Sequence, residues 1–342
     1  MERRTLLPFL ACLPFARGSP GGTPTPIPIE PGANAVDLYR AAMAALPART
    51  EVERAFLSRP ATAPLDAAAR SIVDRSGVAL EHLTRAAQAS ACDWGDSWTG
   101  PTFDREIASI VSARDIAKIA ALRARIAASE GRYDAAIDDI MAVLALSRGY
   151  SRSGVMIAQL IGFAIEHAAI AVAAGFLPDL GRDRLARLES RYAALADYPS
   201  SADTVRAERA FFLGYQRATE PEPLDDSAIA AILARFDFRI AIESGTPPGP
   251  APQPHPLADE ADAATRPAFE AFLGARRFVS VRQAQFRAAI AVASDGPGAI
   301  GRVVDPTDGR PFDLRSWATG FELTSRFVPE RQLSPSLVVG RR

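Results

Sequence analysis

A single lysine, Lys118, stands among the 39 basic residues of this 342-residue chain; all the others are arginine. Schiff-base chemistry, or a lysine clamp on phosphate, therefore has one candidate side chain. Cysteine and histidine are also scarce: Cys12 and Cys92, and His82, His167 and His255. A Cys/His zinc site draws about four ligands from one small cluster. These five residues are scattered, so no metal and no cofactor is expected. The chain has no G-x-x-x-x-G-K, H-E-x-x-H, G-x-S-x-G or Rossmann glycine run, and so carries no standard catalytic signature. The net charge is −1, so no global field draws the chain toward nucleic acid or an anionic membrane. Its arginine-rich stretches alternate with Asp and Glu, as solvated helix faces do.

Hydrophobic residues make up 48% and charged residues 23%, which suits a folded chain and excludes wholesale disorder. Residues 1–18 have the layout of an export signal. Met1-Glu2-Arg3-Arg4 is short and basic, Thr5 to Ala16 is mainly apolar, and Ala16-Arg17-Gly18 offers a small-x-small cleavage site. The apolar run is broken by Pro8 and Pro14 and is too short to span a bilayer. Phe9-Leu10-Ala11-Cys12 has the outline of a weak lipobox, which would place a lipid anchor on Cys12. Cleavage would leave Cys92 as the lone thiol, so no internal disulfide is expected. Residues 19–33 are rich in Pro, Gly and Thr and read as an extended tether.

From Asn34 the pattern is helical. Asn34 is placed to cap a helix with Val36, Tyr39, Met43 and Leu46 on its apolar face. Helical periodicity continues over 50–59, 65–90, 105–129, 138–148, 154–174, 182–195, 202–217 and 226–243. Residues 34–245 form one α-helical domain on this reading. Residues 246–258, dense in proline, make a linker or surface loop. Residues 259–342 supply a long helix over 259–293, interrupted at Pro267, and then a small β-hairpin packed on the helical domain. Asp308-Gly309 is a strong turn signal, and Phe321, Leu323 and Ser325 alternate with polar residues. The expected fold is mainly α, an irregular stack of helical hairpins with a small C-terminal β-hairpin.

The turn Ala127 to Ile137 resembles the corner of a tetratricopeptide hairpin: Gly131 permits the turn, Tyr133 packs under the next helix, and Ala136 allows close approach. No 34-residue self-repeat accompanies it, so a regular superhelix is not expected. Three segments together resemble a family of uncharacterised exported bacterial α-helical proteins. They are the loop Cys92-Asp93-Trp94-Gly95 with Gly100-Pro101, the hairpin from Arg114 to Leu146, and the box Asp305-Pro306-Thr307-Asp308-Gly309-Arg310-Pro311-Phe312. The resemblance implies a helical fold and an extracytoplasmic location, and brings no activity, cofactor or catalytic residue.

Two constellations could carry ligand chemistry. Gln159, Gly162 and Glu166 share one face of the most apolar helix, with His167 beside Glu166. A carboxylate at a bilayer centre costs about 2.5–3.5 kcal/mol on insertion scales, so a core helix is preferred and no transmembrane span is expected. A buried Glu166 then needs a partner. Arg206 and Arg209 on a later helix are proposed for that role. Either the set is a buried network that fixes helix register, or it lines a pocket. The second constellation is Asp93, Trp94, Asp96 and Trp98. It would bind glycans by stacking and acid–hydroxyl bonds, or tuck Trp94 between helices as a plug. Asp305 and Asp308 are read as turn residues, and His82 and His255 as surface residues. The expected role is non-catalytic binding of a protein partner, or scaffolding, in the envelope. The alternative is an enzyme or ligand-binding protein around Glu166 and His167.

Overall fold

The computed structural model describes residues 33–59, 63–95, 103–219, 225–327 and 335–341. The predicted signal segment and nearly all of the tether lie outside the described residues, as does Cys12. Eleven α-helices and one small sheet are present among the described residues.

Local capping starts the first helices where the sequence places them. Asn34 Oδ1 accepts the Val36 N–H at 3.2 Å and opens α1 (Ala35–Ala44). Thr50 and Glu53 form a capping box at the start of α2 (Glu51–Leu57). Asp66 caps α3 (Ala67–Arg75), and α4 (Gly77–Ala86) follows after one residue. The periodic stretch 65–90 is thus two helices. Ser76 donates its hydroxyl back to the Ile72 carbonyl at 2.8 Å, and Gly77 follows with weak helix propensity.

Three consecutive antiparallel helices form the centre: α5 (Phe103–Ser129), α6 (Tyr133–Ser151) and α7 (Met156–Ala174). Gly131 takes the corner between α5 and α6 at φ +74°, a conformation that disfavours other residues. The α6/α7 contact is closer than side chains usually permit. A Cβ on Gly162 would lie 2.0 Å from Ser151 Oγ and 2.7 Å from the Ser147 carbonyl. Ser147 uses that closeness to donate to the Gly162 carbonyl at 2.7 Å.

The chain continues through α8 (Arg182–Ala193), α9 (Ser201–Thr219) and α10 (Asp226–Glu243) to the 40-residue α11 (Pro256–Asp295). Pro267 lies inside α11 and does not interrupt it, contrary to expectation. An interior proline costs roughly 3 kcal/mol. Burial of Phe269 and Phe272, on the following turns, can offset that, at about 1.5–3 kcal/mol for each large apolar side chain. These two residues join Phe163, Val205 and Val279 in a small apolar cluster beside the main core.

The C-terminal element is a three-stranded antiparallel sheet rather than a hairpin: β1 (Asp313–Trp317), β2 (Gly320–Thr324) and β3 (Ser336–Gly340), in that order. Phe321 pairs with Val339 and Leu323 with Leu337, and all four are buried in the main core. Asp308-Gly309 is a turn, but it lies ahead of the sheet and closes an isolated bridge between Val304 and Pro311. Asp305 is buried. It accepts both the backbone N–H and the hydroxyl of Thr307, and its other oxygen accepts from Ser325 at 2.5 Å. On α11, Arg282 donates to the Ser336 carbonyl at 2.9 Å, and Gln285 to the Leu323 and Pro335 carbonyls. These bonds tie the sheet edge to the helical core.

Candidate functional site

Glu166 is fully buried on α7. Its Oε1 accepts from Arg148 at 2.8 Å and from the Tyr192 hydroxyl at 2.8 Å. Its Oε2 accepts from the Tyr198 hydroxyl at 2.5 Å and from Gln283 at 3.3 Å. The donors come from α6, α8, the α8–α9 connection and α11, so one carboxylate joins four segments. Arg148 also donates to the Ala196 carbonyl at 3.3 Å and lies 4.2 Å over the Tyr198 ring. Burial, reinforced by the negative charge of Glu166, pushes both tyrosine hydroxyls well above their ordinary pKa. Burial works against the charge of Arg148, but Glu166 and the two tyrosines outweigh it and raise its pKa.

The predicted partners of Glu166 are elsewhere. Arg206 pairs with Asp203 at 2.7 Å on its own helix, and Arg209 pairs with Asp237 of α10 at 3.2 Å. The ion-pair partner of Glu166 is instead Arg148. Its signal was a charge inside the apolar run Leu144 to Tyr150. Glu208, between those two arginines, has a different task. It accepts the Met156 N–H at 2.5 Å and so caps α7 from outside, in accord with the positive end of the helix dipole. Burial raises its pKa.

Gln159 is also fully buried and bonds to Thr204 at 2.5 Å and to the Gly154 carbonyl at 3.0 Å. It therefore ties α7 to α9 rather than joining the Glu166 network. His167 is half-buried, with its ring 5.4 Å from that of Phe278. Burial, assisted by the positive charge of Arg282, pushes its pKa down to about 4. Its Nδ1 has no hydrogen-bond partner among the described residues.

The Asp93–Trp94 loop is docked into the core. Asn34 donates to the Asp93 carbonyl at 2.7 Å and accepts the Asp93 N–H at 3.0 Å, so the residue that caps α1 also clamps this loop. Trp94 is 4% exposed. Its indole N–H donates to the Gly149 carbonyl at 2.7 Å, its ring meets Tyr150 edge-on at 5.1 Å, and Arg40 lies 5.6 Å over it. The indole is thus packed against α6 and under Arg40. The Asp93 carboxylate accepts the Gly95 N–H at 2.9 Å. Asp96 and Trp98 lie outside the described residues. His82, expected at the surface, is 6% exposed, because α4 turns it inward. His255 is half-buried just ahead of α11.

A feature the sequence did not indicate is an open cleft of about 270 Å³ between α2, α5 and α7. Phe56, Leu122, Ala168 and Val172 supply apolar lining, and Arg59, Lys118 and Arg125 supply the charge. Among the described residues no group of three or more His, Cys, Asp or Glu could hold a metal ion. By length and composition α7 could cross a membrane, yet 56% of its most apolar window is buried within the protein.

Comparison with family models, with curated proteins and with solved structures finds no match to this chain, so its function rests on the geometry above.

Proposed function

We propose that the chain is an exported, non-catalytic binding protein of the cell envelope that engages a partner protein through the face formed by α2, α5 and α7. The observation that carries this reading is the state of Glu166. A carboxylate has about four lone-pair sites, and four side chains of this protein donate to it. It therefore has no lone pair to offer a substrate, and its role is to hold helices in register. The open cleft has the opposite character. Exposed valines stand on the same helices, Val52 at 70% and Val111 at 63% exposure. Val52 is one helical turn from Phe56 and Val111 two turns from Lys118, so each shares a face with a cleft residue. Apolar side chains around a concavity are what a partner surface uses.

The export-signal layout of residues 1–18 supports the compartment. α7 is read as a core helix, and the mature chain as lacking a transmembrane span. An enzyme or small-ligand site around Glu166 and His167 has less support, because the carboxylate is already satisfied.

Capture from native envelope extract with the chain from Ser19 onward tests the reading. The wild type and Ala168→Trp, which fills the cleft from an exposed position, are compared. A protein retained by the wild type and lost by the variant is expected. Equal retention by both, or none by either, would overturn the proposal.

A further inference from the structure

The charge in the cleft is one-signed and largely unneutralised. Lys118 is half-buried and has no ion-pair or hydrogen-bond partner among the described residues. Arg125 donates to the Ala63 carbonyl, has no carboxylate partner among the described residues, and has its pKa lowered by burial. Arg59 has a distant, exposed partner, Asp66 at 3.9 Å, and lies over the Phe56 ring. None of the described residues lining the cleft is acidic. Other arginines of this protein do meet carboxylates: Arg49 with Asp115 at 2.6 Å, Arg123 with Asp139, and Arg184 and Arg187 with Asp134 at 2.9 Å. Lys118 and Arg125 thus stand beside an apolar floor with no carboxylate of the described residues against them.

We infer that the cleft recognises an acidic–apolar segment of a partner polypeptide, with an apolar side chain on the Phe56–Leu122–Val172 floor and a neighbouring carboxylate between Lys118 and Arg125. This rests on the protein-binding reading above and adds the chemistry of the partner. The volume, about 270 Å³, lies just below the usual range for a drug-sized ligand. It suits one large side chain entering from a segment that otherwise stays outside. A carboxylate placed there would gain more than at an open surface, because the apolar floor excludes part of the water.

The lone lysine supplies a direct probe. Reductive methylation with 13C-formaldehyde labels Lys118 and the terminal amine, so Lys118 gives one assignable NMR signal. Three short capped peptides are titrated: one interleaving Phe and Leu with Glu, one with Lys in place of Glu, and one with Ser in place of Phe and Leu. Saturable movement of the Lys118 signal by the first peptide alone is expected. Binding is then followed by fluorescence anisotropy on unmethylated protein. Lys118→Glu should weaken the first peptide roughly tenfold, and Ala168→Trp should abolish its binding. Both substitutions are made at positions with some solvent exposure, and circular dichroism checks that the variants fold. Equal binding of the acidic and basic peptides, or unchanged binding by Ala168→Trp, would overturn the inference. So would decanoate moving the Lys118 signal when no acidic peptide does. Capture from extract that is lost in Ala168→Trp but kept in Lys118→Glu would leave the protein-binding reading standing and remove the acidic partner.

Discussion

Replacing both members of the Arg148–Glu166 pair should destabilise the protein less than the two single replacements added together. Glu166→Gln keeps the shape of the side chain and removes its charge. Arg148, with 7% side-chain exposure, is then left without its carboxylate. Removal of one member of a buried pair typically costs about 3–5 kcal/mol, because the other charge stays desolvated and unpaired. Tyr192 and Tyr198 would each donate to a weaker, neutral acceptor. Arg148→Met should cost a similar amount from the other side. Glu166→Gln combined with Arg148→Met leaves neither charge of this pair. It should therefore be more stable than the sum of the two single losses predicts, with a coupling of about 1–3 kcal/mol. Urea unfolding followed by circular dichroism measures all four proteins. Single substitutions costing less than about 1 kcal/mol, or strictly additive effects, would refute the picture of a closed ionic network.

Three further outcomes follow from the same geometry. His167 titrates near pH 4 when folded and near 6.5 when unfolded. The unfolded chain thus takes up a proton first as the pH falls, and stability is full above about pH 6.5 and declines toward pH 4. The loss should reach about 2–3 kcal/mol after allowance for the partly open ring, and His167→Leu should flatten the pH dependence in thermal melts. Gly162→Ala drives a methyl group into Ser151 and the Ser147 carbonyl, so a loss of roughly 2–4 kcal/mol is expected, and an unchanged melting temperature would deny the close α6/α7 contact. Trp94→Phe leaves the Gly149 carbonyl without its indole donor and should cost about 1–3 kcal/mol, with no effect on peptide binding at the cleft.

The helices were legible because their apolar positions recur at helical spacing and their caps are local. Asn34, Thr50–Glu53 and Asp66 all act within three residues of themselves. Where tertiary packing decides, the local signal misled. Pro267 reads as an interruption, yet the phenylalanines after it hold α11 in one piece. β3 is five residues long and takes its place from the pairing of Leu337 and Val339 with β2, which no local pattern announces. The burial of Glu166 could be inferred from a lone carboxylate in an apolar helix, but its partner could not. Arg148 meets it through the packing of α6 on α7, whereas Arg206 and Arg209 point to Asp203 and Asp237. The cleft was invisible for the same reason. Its walls come from three segments centred near residues 57, 121 and 170, and only the rarity of lysine marked Lys118 in advance.

The central claim is that α7 is a protein-enclosed helix locked by Glu166, which leaves the cleft as the working surface. Amide hydrogen exchange in detergent-free buffer tests it most directly. The account predicts that the amides from Gly162 to Ile170 exchange only through global unfolding, and that Glu166→Gln speeds them by the factor its loss of stability dictates. Exchange of this segment within seconds, or protection gained only when lipid is added, would contradict it.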